Sequence, residues 1–437
     1  MRQNQTNKNQ KLDEWLSSLA QKGKPDIDEC IDYLGSQIEW LYNMKNTQQD
    51  PEWHAEGNVH IHTNMVLGEV YKLLDEDASH IQGGERQSLI LAALLHDVGK
   101  SVRTKEVEIN GVIRIACPQH ESIGRSYLAF KLMGLNLSFD VVLDVLGLVG
   151  EHHMPKFLVV KNKTKGEYLS LSRRANIELL YWLEVADMRG RICQDLNLQL
   201  EYLDEFKMFA EEYGVWSFPH DLKDEFLNLF KDESIQEKNY VYSYALYEIE
   251  NNLISLPVEA IARSFEHKRN YSNLIVLCGP SGSGKSTWVE RNCEDFALIS
   301  LDKIREEVNG NRTSQKNRGQ IMQLAKERLK ACLRTKQSVV WDATNLRLDF
   351  RKILCDFGRD YKALVTLVVF LLPEKKLYMG NENRDYSVPK DVLSKQLKGF
   401  QFPSAGEAHR MCLVGERGQL LRRTGYFETH STARQAF

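Results

Sequence analysis

Leu274-Ile275-Val276-Leu277-Cys278-Gly279-Pro280-Ser281-Gly282-Ser283-Gly284-Lys285-Ser286-Thr287 is an apolar run that stops at a glycine-rich turn and passes into a helical stretch. The turn satisfies G-x-x-x-x-G-K-[ST]. In that pattern backbone N–H groups close around phosphates, the lysine neutralises the β and γ oxygens, and the hydroxyl at the helix start completes a Mg²⁺ shell. Gly279, Ser281, Gly282, Ser283, Gly284, Lys285, Ser286 and Thr287 are therefore the expected binding residues for ATP or another NTP with Mg²⁺, Lys285 also serving catalysis and Ser286 the metal. The competing reading is a glycine-rich turn without a ligand, which the strand before it and the helix after it disfavour. Further apolar runs at Phe296 to Ser300, Val339 to Trp341 and Leu364 to Leu372 alternate with helical stretches, the signature of an α/β domain with a parallel sheet.

A phosphate loop does not by itself separate kinases from ATPases, so the acceptor side is read from the residues past the second strand. There Ser300-Leu301-Asp302-Lys303-Ile304-Arg305 puts an aspartate just beyond a strand's C-terminal end, where ligands of open α/β sheets sit. Asp302 reads either as the acceptor of a hydroxyl proton during in-line transfer or as a plain helix cap. Arg305, one helical turn on, faces the same crevice and suits an acceptor's phosphate.

This stretch resembles the kinase domain of the polynucleotide 5′-kinase family. The resemblance implies general-base work for Asp302 and acceptor-phosphate binding for Arg305. Trp341-Asp342-Ala343-Thr344-Asn345 is similar to that family's D-x-T-N segment, which makes Asp342 and Asn345 substrate-side candidates; Asp342 either helps to place Mg²⁺ or holds the loop. Asn383-Arg384-Asp385 with Val388-Pro389 resembles the family's lid, so Arg384 is implied as the cation of the transition state. Phe400-Gln401-Phe402-Pro403 resembles the closing stretch, and the likeness runs from about Tyr271 to Arg410.

The N-terminal half carries a different chemistry. His96-Asp97 ends the apolar helix Leu89 to Leu95 and is followed by Val98-Gly99-Lys100. Adjacent His and Asp side chains at a helix end can share a divalent cation if other helices deliver the remaining ligands. His62 in an earlier helix and Asp187 in a later one are available. This H…HD…D order resembles the HD phosphohydrolase superfamily. Pro51-Glu52-Trp53-His54-Ala55 through His62-Thr63 also resembles the opening of HD domains in tRNA nucleotidyltransferases, which selects His62 as the ligand over His54 and His60.

His120 and His152-His153 lie between the HD pair and Asp187, an order similar to HD domains that hold two metals. The implied set is His62, His96, Asp97, His120, His152 and Asp187 around one or two divalent transition metals, with Asp97 bridging. His152 is preferred to His153 because helical neighbours diverge. Lys100 reads either as a phosphate-binding point charge or as a solvated lysine.

At 437 residues the chain exceeds one ordinary core. The expected layout is a helical leader over 1–50, an all-α HD phosphoesterase domain over 51–200, a helical bridge over 201–270 and the kinase domain over 271–437. In the leader, apolar residues from Trp15 to Tyr42 recur at three- and four-residue steps and give two helices broken near Lys24-Pro25. From Asp50 to about Leu200 the pattern stays helical throughout, including one helix from Leu171 to Cys193. The formal charge of -3 denies the chain a global basic field, so any polynucleotide contact has to be local. The eight cysteines are scattered without a C-x-x-C pair and read as reduced packing residues; Cys117, three before His120, is set aside as a coincidental C-x-x-H. Residues 1 to 25 are polar and no stretch has the apolar length of a membrane span, so a cytoplasmic protein without membrane contact is expected.

A phosphate-removing domain joined to a 5′-kinase makes sense on one broken strand, because ribonuclease-type cleavage leaves a 2′,3′-cyclic phosphate and a 5′-hydroxyl. The architecture resembles bacterial HD-Pnk end-healing enzymes, which implies RNA or DNA ends as partners. Two other readings stand beside it. One joins a nucleoside or sugar kinase to a nucleotide-hydrolysing HD domain; the other makes the phosphate loop an ATP sensor that regulates the phosphoesterase.

Overall fold

The computed structural model describes residues 2–216, 222–230, 233–312, 314, 316–384 and 386–427, with side chains from residue 9 onward. The chain divides into two compact units, Met1–His220 and Asp221–Phe437.

The first unit is built around the helix Gly83–Leu95. Every residue from Leu89 to Leu95 is buried, as expected for a stretch apolar on all sides with neighbours all round, and Arg86 and Gln87 before it are buried by donating to the carbonyls of Leu19, Gly23 and Leu16. The helices Val59–Asp75, Phe139–Glu151 and Ile177–Arg189 pack against it. Side-chain caps start each of these three. Asn58 accepts from the Ile61 N–H, Ser138 from Val141 and Asn176 from Leu179. The Asn176 cap also explains why the single helix read from Leu171 to Cys193 is in fact two, Lys165–Ser172 and Ile177–Arg189. The leader forms helices Arg2–Leu19 and Ile27–Leu34, separated near Pro25 as read.

An all-α unit was expected, and this is corrected by a hairpin of β1 (Lys105–Ile109) and β2 (Val112–Ala116). Its turn, Asn110-Gly111, has positive φ at both residues (53° and 79°), the two-residue turn that suits the strand twist. The stretch 201–270, read as one bridge, is divided: the helix Leu196–Glu212 packs on helices of the first unit, and Ile235–Glu250 belongs to the second.

The second unit carries a six-stranded sheet in the order β4-β5-β3-β6-β7-β8. The strands are β3 (Asn273–Cys278), β4 (Ala297–Ser300), β5 (Val339–Asp342), β6 (Leu364–Phe370), β7 (Arg410–Val414) and β8 (Leu420–Thr424). The first five are parallel and β8 is antiparallel, so the sheet is mixed where a parallel one was read. β6 is buried at every residue, the continuous apolar strand expected of a sheet covered on both faces. β3 lies between β5 and β6. That is where connections leave in opposite directions and a crevice opens beyond the strand ends. No helix among the described residues is long and apolar enough to cross a membrane.

Candidate metal centre and candidate phosphate-binding loop

In the first unit the helices packed around Gly83–Leu95 deliver side chains to one buried group. His62 lies in the first turn of Val59–Asp75, His96 and Asp97 follow Gly83–Leu95, His152 follows Phe139–Glu151, and Asp187 is in the last turn of Ile177–Arg189. His120 opens the helix His120–Leu132. All six are buried.

The imidazoles are aimed by backbone carbonyls. Nδ1 of His96, His120 and His152 lies 2.8, 2.8 and 2.9 Å from the carbonyls of Ala93, Cys117 and Val149, three residues earlier in each case. A carbonyl only accepts, so each Nδ1 carries a proton, and wherever the ring is neutral its Nε2 presents a lone pair. Burial works to lower His96, but the Asp97 carboxylate beside it raises it above the ordinary histidine value. The Nδ1 of His62 is 2.9 Å from Glu56 Oε1 and 3.2 Å from the Gly190 carbonyl.

The Nε2 atoms meet the carboxylates in two sets that share Asp97. His62 Nε2 is 2.9 Å from Asp187 Oδ1 and 3.6 Å from Asp97 Oδ2, and His96 Nε2 is 3.3 Å from that same Oδ2. On the other side, Asp97 Oδ1 is 3.1 Å from His120 Nε2, which is 3.3 Å from His152 Nε2. Ligand atoms of His62, His96 and Asp187 lie within 4.8 Å of one another, and so do those of His120, His152 and His153.

These residues fit divalent cations. His62 Nε2 and His96 Nε2 are buried without a hydrogen bond and face carboxylate oxygens rather than donors, and leaving such groups unmatched is costly. Two ring lone pairs facing across 3.3 Å, as in His120 and His152, repel unless a proton or cation lies between them. Burial, then the neighbouring imidazoles, push His152 and His153 well below the ordinary histidine range, which keeps them neutral, the ligand form. Burial works to raise Asp97, yet His96, Lys100 and His120 together hold it well below the carboxylate range.

The preference for His152 over His153 assumed one continuous helix. The structure breaks there: His152 caps the end of one helix and His153 the start of Met154–Val160, so both rings approach His120, with centroids 5.2 and 5.1 Å away. Lys100 is not the solvated lysine of the alternative reading. Its buried Nζ is 2.7 Å from Asp97 Oδ2 and 2.7 Å from Gln49 Oε1. His60 faces Asp28 at 3.1 Å, outside the group, and Cys117 meets His120 through its carbonyl rather than its sulfur. Sequence reading missed Glu56, which receives His54 and His62, and Arg191, whose Nη2 is 2.8 Å from Asp187 Oδ2. Arg191 sits one turn past Asp187, a signal that spacing alone offered.

In the second unit the glycine-rich turn joins β3 to the helix Lys285–Asn292. Gly282 and Gly284 adopt φ of 81° and 86°. A Cβ on Gly282 would lie 2.4 Å from the Leu377 carbonyl, so glycine is required there on two counts. Lys285 folds back on its own loop, donating to the carbonyls of Gly279 and Pro280 at 2.9 and 2.8 Å and approaching Ser283 Oγ at 3.4 Å. The Ser281 N–H donates to Gln396 Oε1 at 2.7 Å. Ser286 and Thr287 open the helix. Burial lowers Lys285 to about 8, against the pull of Asp342. Burial raises Asp342, which Lys285 opposes and the charge of Asp302 reinforces. Lys285 and Asp342 both feel the charges of Asp302 and Arg384.

Asp302 lies in the first turn of Leu301–Asn309 and does not cap it. Its Oδ1 accepts from Arg305 Nη1 at 2.5 Å. The Asn345 amide donates to the Leu277 carbonyl at 2.6 Å, tying the strand ends together. Asn381 holds the lid stretch by two hydrogen bonds to Val388, and Asp385 lies outside the described residues.

Residues 274–403 match a family model described as an AAA domain. The match starts in the strand before the glycine-rich turn and ends at Pro403, so it takes in Lys285, Asp302, Asp342 and Arg384. With the mixed sheet and the loop geometry, it gives the second unit a kinase-like P-loop nucleotide-binding domain.

Proposed function

We propose that the chain heals broken nucleic-acid ends. In this reading the second unit moves the γ-phosphoryl of ATP to a 5′-hydroxyl, and the first unit hydrolyses a 2′,3′-cyclic phosphate or terminal phosphate. The observation that carries it is the Asp97 carboxylate, with one oxygen toward His62 and His96 and the other toward His120, in a chain that also holds a phosphate loop whose Lys285 feels the charge of Asp302.

The two carboxylates and four histidines of the first unit, with His153 beside them, would hold one or two divalent cations, which supply Lewis acidity toward water and the phosphoester. Lys100 exchanges its bond with Asp97 for one with a substrate phosphate. Arg191 fixes the second carboxylate by its pair with Asp187. In the second unit Ser286 would complete the shell of a Mg²⁺ that screens the triphosphate. Lys285 leaves the Gly279 and Pro280 carbonyls for the β and γ oxygens. Asp302 takes the hydroxyl proton as the new oxygen–phosphorus bond forms and the bond to the ADP oxygen breaks. Arg305 releases Asp302 to grip the acceptor's phosphate, and Arg384 neutralises the phosphoryl in flight.

The test is incubation of the purified chain with an oligonucleotide bearing a 5′-hydroxyl and a 2′,3′-cyclic phosphate, with labelled ATP and a series of divalent metals. Labelled 5′ ends and metal-dependent opening of the cyclic phosphate support the reading. Transfer to free nucleosides alone, or ATP binding without transfer, overturns it.

A further inference from the structure

Trp53 is 41% exposed, unusual for an indole, and Arg114 Cζ lies 5.6 Å from the centre of its ring. The loop that carries it is clamped to the metal centre at both ends. Before Trp53, Gln49 accepts from the Lys100 ammonium that pairs with Asp97. After it, His54 and Glu56 lean on His62, the His54 ring 4.8 Å from the His62 ring. Between the clamps the Asp50 carbonyl accepts from the N–H groups of Trp53 and His54 at 3.2 and 2.8 Å, so the indole is held on a fixed turn.

The partner strand is fixed to the same turn. Asp50 Oδ2 accepts from the Ile115 N–H at 3.0 Å and Oδ1 from Arg114 at 3.2 Å, while Glu52 also pairs with Arg114. By the register of β1 and β2, Arg114 shares its face of the hairpin with Lys105, Val107, Ile109 and Val112. Ile109 and Val112 are 40% and 50% exposed. An aromatic ring backed by a guanidinium, continued by apolar residues and a lysine, matches a base with its neighbouring phosphates.

We infer that Trp53 and Arg114 form a stacking platform for the nucleobase of the terminal nucleotide whose phosphate enters the metal centre. The inference rests on the phosphoesterase reading above. Stacking on such a ring is tolerant of base identity, so the platform selects nucleotides over other phosphoesters without selecting sequence.

The experiment compares adenosine 2′,3′-cyclic phosphate with 1,4-anhydroribitol 2,3-cyclic phosphate, which keeps the ring and lacks the base, in the full chain loaded with Mn²⁺. The wild type should prefer the nucleotide in kcat/KM. Trp53→Ala should lower that preference roughly tenfold, chiefly through KM, and Trp53→Phe should restore most of it. A preference equal in all three proteins overturns the platform while leaving the phosphoesterase reading intact. Hydrolysis of neither compound by the wild type overturns both. Should Trp53→Ala fail to fold, adenosine 3′-monophosphate must bind the wild type at least several-fold tighter than 1,4-anhydroribitol 3-phosphate, and equal binding overturns the platform.

Discussion

Replacing Glu56 with alanine tests how the metal centre is held. The carboxylate receives His62 Nδ1 at 2.9 Å, His54 Nδ1 at 2.8 Å and the Ile192 N–H at 2.9 Å, and its side chain is buried. Removing it strands the His54 donor, worth about 1–3 kcal/mol when buried and unpaired, while the exposed Ile192 N–H turns to water, so the first unit should lose roughly 1–3 kcal/mol of stability. His62 fares better, because the Gly190 carbonyl at 3.2 Å remains as an acceptor and keeps the ring's proton on Nδ1. Loss of a partner that orients a ligating histidine costs about 10- to 100-fold in metal affinity. With Gly190 in reserve the lower end, roughly tenfold, is expected. Competition against a chromogenic chelator measures the affinity for Mn²⁺ or Zn²⁺, thermal unfolding measures the stability, and Glu56→Gln, which retains one acceptor, should recover part of both. A Glu56→Ala protein that melts early yet binds metal as tightly as the wild type would refute the orienting role.

Gly282→Ala combines a φ of 81° with a Cβ 2.4 Å from the Leu377 carbonyl, so ATP binding measured by calorimetry should be lost while the first unit keeps its metal affinity. Arg351, fully buried, donates to both oxygens of Glu407 at 2.6 and 3.0 Å and to the carbonyls of Asn345 and Leu346; Arg351→Leu takes the countercharge from that carboxylate, leaving it the Ser404 N–H, and should destabilise the second unit by about 3 kcal/mol in urea titration. The Lys285 ammonium titrates at about 8, lowered by burial, and a triphosphate binds its charged form. Metal-free ATP affinity should therefore be level below about pH 8 and fall by up to tenfold per pH unit above it, until the higher pKa of the bound lysine is passed. Affinity that holds constant to about pH 10 would contradict this.

The parts of this protein that were legible in the sequence are those whose chemistry is local. The glycine-rich turn announces itself because Gly282 and Gly284 need positive φ and Lys285 needs a helix start, all within eight residues. The residues of the candidate metal centre were legible as an order of histidines and aspartates. The bridging place of Asp97 was implied by the resemblance, and the fold shows which of its oxygens faces which histidines. His153 was set aside because its helix was assumed to continue, and only the break between Glu151 and Met154 turns both rings toward His120. The hairpin was missed although Asn110-Gly111 is a strong turn signal, because exposed strands of five residues were read with the helical pattern around them. Glu56 and Arg191 carry no motif; Arg191 could be suspected only from its place one turn past Asp187, and the contact of Glu56 with His62 is not revealed by spacing. β7 and β8 lie at and beyond the end of the recognised stretch, where an antiparallel edge strand breaks the βα rhythm.

The claim that one polypeptide holds two separate phosphate-handling centres is tested most directly by assaying Asp97→Ala and Asp302→Ala on one oligonucleotide that carries both end groups. Asp97→Ala should keep 5′-phosphorylation and lose opening of the cyclic phosphate, and Asp302→Ala should show the opposite pattern. Loss of both activities in either protein, with its unfolding curve unchanged, would contradict the account.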